Sequence, residues 1–99
     1  MILVRRTYIP KAGAGGNLIS LVKQAGVAIE KAGLPKLIIS RAWHGKHGSI
    51  YTDQQWGSIS DYEESRKIVR NTKSITAIFK QIYPLLAETH DTQILSNYE

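Results

Sequence analysis

The chain of 99 residues predicts an α+β fold of the split βαβ, or ferredoxin-like, kind: one four-stranded antiparallel sheet with its helices on a single face. Three observations carry that expectation. Apolar patterns follow one another as strand, helix, strand, strand, helix pair, strand. The helical stretches hold the 3.6-residue period, whereas the others are β-branched and aromatic. Large residues occupy both alternations of the first three strands: Ile2, Val4 and Tyr8 against Leu3 and Ile9; Leu37, Ile39 and Trp43 against Ile38; Tyr51 against Ile50 and Trp56. A sheet face of that composition is not expected to meet bulk water, so something should cover the side the helices leave open.

Taken in order, Ile2 to Ile9 reads as a strand closed by Pro10, followed by a glycine-bearing segment. Leu18, Leu21, Val22, Ala25, Ile29 and Ala32 then fall on one helix face, with Asn17 near the N-cap and Gly33 and Pro35 as stop signals. "LIIS" continued through Arg41, Ala42 and Trp43 is expected as the second strand and "SIYTDQQW" as the third, joined by a "HGKHG" hairpin loop. Ser60 with Glu63 three residues on forms a capping box that should open the next helix. That helix should break around "RNTKS", where Asn71, Thr72 and Ser74 compete for backbone hydrogen bonds. Ile75, Ile78, Phe79, Ile82, Tyr83 and Leu86 mark a further helix that Pro84 disturbs near its end, and Thr89 to Tyr98 reads as the final strand.

Composition bounds the rest. With 42% apolar and 21% charged residues, a single globular domain over residues 1–99 is expected. So short a chain buries a modest share of its surface, which makes pairing with a second copy a natural source of stability. The absence of cysteine excludes disulfides, thiolate metal sites and thiol nucleophiles. No apolar stretch approaches the ~20 residues of a membrane span, and the arginines of "MILVRRTYIP" follow its apolar residues, unlike a signal peptide. The cytoplasm is the expected location, with no membrane partner. The net charge of +5 comes from Lys and Arg spread along the chain, with no basic run longer than a pair, so no nucleic-acid partner is expected.

The motif-bearing stretches mostly exclude. "KAGAGGNLIS" sits where a dinucleotide fingerprint would, but a G-x-G-x-x-G reading from Gly13 and Gly15 meets Leu18 at its third position, and no Gly-Lys-Ser or Gly-Lys-Thr follows. It is read as a turn. RNA-recognition domains share the element order, yet an aligned stacking octamer on "HGSIYTDQ" finds Ser49 where an aromatic belongs and Asp53 on a surface that should attract phosphate, and strand one offers Leu3. His44, His47 and His90 could supply imidazoles, but their spacing is unspecific and no metal is expected. No nucleophile-elbow motif occurs, and no catalytic set can be named. Tyr8, Trp43, Tyr51 and Trp56 have two readings: packing in a core or dimer interface, or the lining of an apolar pocket. In the second, Arg6 or Arg41 would hold an anionic group and His44 would titrate near neutrality. The two readings divide on whether a cavity of a few hundred cubic ångström opens beside Arg6, Arg41 or His44.

"RRTYIPKAGAGGNLISLV" resembles the opening of NIPSNAP-like proteins, and "WGSISDYEESRKIVRN", "FKQIYPLL" and "DTQIL" resemble that family's later segments. Ala12 stands where the family's turn usually has proline. The resemblance covers nearly the whole chain and implies a dimeric α/β barrel, two ferredoxin-like subunits pressing their open sheet faces together. It also implies a superfamily that includes cofactor-free monooxygenases, lactone isomerases, heme-degrading enzymes and proteins with no known activity, and from it no catalytic residue and no cofactor is carried over. The resulting expectation is a homodimer that binds a small, partly apolar or anionic molecule. The alternative is a homodimeric structural or interaction module without catalysis, and nucleic-acid binding comes third.

Overall fold

The computed structural model describes residues 1–44, 46 and 48–98. Four strands, β1 (Ile2–Tyr8), β2 (Ile38–Arg41), β3 (Ile50–Trp56) and β4 (Asp91–Ser96), form one antiparallel sheet in the order β2-β3-β1-β4. Helices α1 (Gly15–Lys31), α2 (Ile59–Asn71) and α3 (Lys73–Ile82) accompany it, with a 3-10 turn at Tyr83–Leu85. Extents of 36 × 35 × 19 Å describe a slab two layers thick, helices on sheet. This is the ferredoxin-like fold expected from the element order.

Alternation sorts the central strands. On β1, Val4 and Tyr8 are buried under the helices, and in register with them Gln54 and Ile50 of β3 are buried too. Leu3, Arg5, Tyr51 and Asp53 lie on the opposite face with Ile38 and Leu95. Among the described residues no helix covers that side. The core is built from Leu18, Val22, Ala25 and Ile29 of α1, the i, i+4, i+7, i+11 stripe of its apolar face, against Tyr8, Ile50, Ile75 and Ile82.

Several boundaries differ from expectation for local reasons. Helix α1 begins at Gly15, two residues before Asn17, because Gly13 takes a left-handed φ of 79° and the Ala14 N–H closes a tight turn by donating to Lys11 O at 2.9 Å. Its N-cap is Ala14, without a side-chain hydrogen bond, so the glycine run serves only to lower the chain from β1 onto the helix. Strand β2 stops at Arg41 and leaves Trp43 outside the sheet, 97% exposed. Of the "HGKHG" loop, Gly45 and His47 lie outside the described residues.

The cap of α2 is Ser58, whose Oγ accepts from the Asp61 N–H at 3.1 Å, and Ser60 sits exposed in the first turn. The expected Ser60 box is displaced because β3 ends at Trp56, so Ser58 is the first hydroxyl the chain offers to the open amides. The break between α2 and α3 falls at Thr72, as the "RNTKS" composition implied; its Oγ1 donates back to Ile68 O at 2.6 Å. Pro84 enters only the 3-10 turn, where its missing N–H costs little.

Candidate functional site

A half-open cavity of about 90 Å³ lies between the helix-side face of the sheet and helices α2 and α3. Its lining includes Arg6 and Tyr8 from β1, Gln54 and Trp56 from β3, Tyr62, Ser65 and Arg66 from α2, Phe79 from α3, and Tyr83 and His90 from the segment that leads into β4. None of the residues lining it is acidic. The cavity is smaller than the few hundred cubic ångström expected, and it opens beside Arg6 rather than beside Arg41 or His44. Tyr83 and His90 also border a shallower depression of about 440 Å³ with Leu86, Glu88 and Thr89.

Strand alternation explains why Arg5 and Arg6 have opposite circumstances. Arg5 projects onto the open face and is held there by Asp53 through two hydrogen bonds, 2.9 and 3.0 Å, with its guanidinium 5.7 Å from the Tyr51 ring centre. Arg6 projects inward between Val4 and Tyr8, and its Nη2 donates to the Tyr62 hydroxyl at 2.7 Å. Among the described residues it has no carboxylate partner. Arg66, one turn beyond Tyr62 on α2, is likewise without one, and both guanidiniums lie 5.9 Å from the centre of the Tyr62 ring.

His90 is held between two tyrosines. Its ring stacks on Tyr8, centroids 5.4 Å apart, and on Tyr83 at 6.0 Å with the planes 7° from parallel. Burial is the main reason that its pKa falls below the ordinary 6.5; Arg6 and then Arg66 push it the same way, and Asp91 opposes them. The imidazole is therefore neutral at pH 7 and able to accept a proton. Burial raises the Tyr8 phenol, an effect that Arg6 partly offsets. Trp56 meets Tyr62 edge-on at 5.8 Å, and its indole N–H is buried without an acceptor among the described residues. Gln54 Nε2 donates to Pro35 O at 2.8 Å, which ties the chain entering β2 to the sheet beside the cavity.

Of the residues singled out in the sequence, Arg6, Tyr8 and Trp56 share this cavity. Tyr51 lies on the open face beside Arg5, and Arg41, Trp43 and His44 are exposed along the end of β2 and the loop after it. The cavity adds Tyr62, Arg66, Tyr83 and His90, which nothing in the local sequence joined to Arg6. The signal that was present is the i, i+4 pair Tyr62 and Arg66 on a helix expected to pack on the sheet. Among the described residues no three of His, Cys, Asp and Glu gather as metal ligands.

No family model matches the chain, and no curated protein matches it. Solved structures do. An uncharacterized NIPSNAP domain protein from Burkholderia xenovorans superposes with a TM-score of 0.85 at 19% identity, covering 99% of this chain and 95% of its own. A NIPSNAP family protein from Agrobacterium tumefaciens gives 0.85 at 22% identity, covering 99% and 93%. An antibiotic biosynthesis monooxygenase gives 0.74 at 14% identity, with both chains covered completely. The fold is thus that of the NIPSNAP structures, which the "RRTY" and "DYEESRK" segments resembled, with the monooxygenase as a more distant neighbour. No described helix is long and apolar enough to cross a membrane.

Proposed function

We propose that the chain is a NIPSNAP-like, cytoplasmic homodimer of the α/β barrel type that binds a small, partly apolar or anionic molecule in the cavity around Arg6. The carrying observation is the electrostatics of that cavity. Two guanidiniums without carboxylate partners, held against aromatic rings in a space lined by no acidic residue, form an environment that an anion completes. The open sheet face supports the dimer: Leu3, Ile38, Tyr51 and Leu95 leave apolar surface that only a second layer would remove from water. The likeness in fold to an antibiotic biosynthesis monooxygenase is compatible with the cofactor-free oxygenation or isomerisation that the family resemblance implies, with neutral His90 as the group able to exchange a proton.

Native mass spectrometry of the protein as purified reads subunit count and any retained ligand together. A dimer carrying an anionic adduct is the expected result. A dimer without adduct, and with no small acid retained when one is added, would favour the purely structural module.

A further inference from the structure

We propose that the ligand of the Arg6 cavity is a short-chain aliphatic carboxylate, its oxygens on Arg6 and Arg66 and its carbon chain against Phe79 and Val69, with His90 beside it as the group that takes up a proton. The inference rests on the reading that the cavity binds a small molecule, and narrows it to one chemical class. Size sets the chain length. The 90 Å³ of this half-open space is less than the roughly 150 Å³ in which an apolar cavity takes up benzene, which favours an acid of a few carbons over an aryl acid at the arginines.

Charge sets the head group. Guanidinium forks match the planar carboxylate, and a monoanion costs less to desolvate in a half-buried site than a phosphate dianion. The walls set the tail: Ile29, Leu34, Val69 and Phe79 supply apolar surface in the same lining. Trp56, whose buried N–H is unpaired among the described residues, belongs to the same lining.

The position of His90 couples the anion to a proton. The groups that face it are Tyr8 and Arg6 from β1, Tyr62 and Arg66 from α2, Tyr83 from the 3-10 turn and Asp91 from β4, while Glu88 in the adjoining depression is paired to Lys46 at 2.8 Å. The arginines and burial disfavour the imidazolium; a carboxylate placed among them reverses the local field and favours it. Bound anion therefore raises the titration midpoint of His90 toward or above its ordinary value of about 6.5. By linkage, affinity strengthens as pH falls through the interval between the bound and unbound midpoints, until the carboxylate of the ligand is itself protonated.

The test is an NMR titration of the full-length protein with butyrate, with its neutral isostere butyramide, and with inorganic phosphate. The His90 ring signals are assigned through His90→Gln. Butyrate is expected to shift cavity signals at least about tenfold more tightly than butyramide, to raise the His90 midpoint, and to lose most of that preference in Arg66→Gln. In His90→Gln the affinity for butyrate should no longer strengthen as pH falls toward about 6. Equal affinity for butyrate and butyramide, tighter binding of phosphate, or an unmoved His90 midpoint would overturn the carboxylate assignment while leaving a ligand cavity. No shift at cavity residues with any probe would overturn the cavity reading as well.

Discussion

Ser58 and Ser60 stand two residues apart, each followed at the third position by an acidic residue, and only the chain's exit from β3 decides between them. The hydrogen bond from Asp61 N to Ser58 Oγ predicts that Ser58→Ala costs about 1 kcal/mol in chemical denaturation, whereas Ser60→Ala changes stability by only a few tenths. A larger loss at Ser60 would mean that the helix starts later. The same limit on local reasoning applies to the cavity. Arg6, Tyr8 and Trp56 could be picked out as a cation and two large aromatics on expected strands. His90 could not, since what defines it is stacking on Tyr8, which is far away in the chain, and on Tyr83 across a proline turn. Trp43 was expected on a strand as Trp56 was, and only the short length of β2 leaves it outside the sheet.

Helices were legible wherever burial follows periodicity. The α1 stripe and the α3 series appear in the core as the spacing implied, because a continuous apolar face leaves one way to pack on a sheet, except that Tyr83 lies beyond the end of α3 and is 52% exposed. Within α3 the burial is graded: Ile75 and Ile82 are fully enclosed, and Ile78 is only partly so. Ile82→Ala is therefore expected to cost about 2–5 kcal/mol and Ile78→Ala distinctly less, both read from urea unfolding midpoints at a constant m-value. Equal costs would place α3 in a different rotation about its axis. Element ends were less legible. The start of α1 depends on the positive φ of Gly13, and the end of β2 on where pairing with β3 stops, neither of which leaves a periodic trace.

For the whole molecule, the double alternation of large residues along β1 to β3 was the most informative signal in the sequence, since it required two covered faces from a chain with helices enough for one. The structure places Leu3, Ile38, Tyr51 and Leu95 on that second face around the Arg5–Asp53 pair. Ile38, 56% exposed and aligned with Asp53 in the β2–β3 register, is the position where a charge would be most disruptive to a second copy. Ile38→Glu should give a folded monomer by sedimentation and circular dichroism, the new carboxylate being repelled by Asp53 and left without a partner in an apolar contact. A variant that still pairs would move the interface away from the sheet.

The two tryptophans fall at opposite extremes, Trp43 at 97% exposure on the hairpin and Trp56 at 8% against the cavity. An aqueous quencher such as iodide therefore reaches one indole and not the other. Replacing Trp43 with Phe leaves a single tryptophan whose emission, excited at wavelengths the tyrosines do not absorb, reports on the space beside Tyr62, so occupancy of the cavity can be followed optically, in real time and without a labelled ligand.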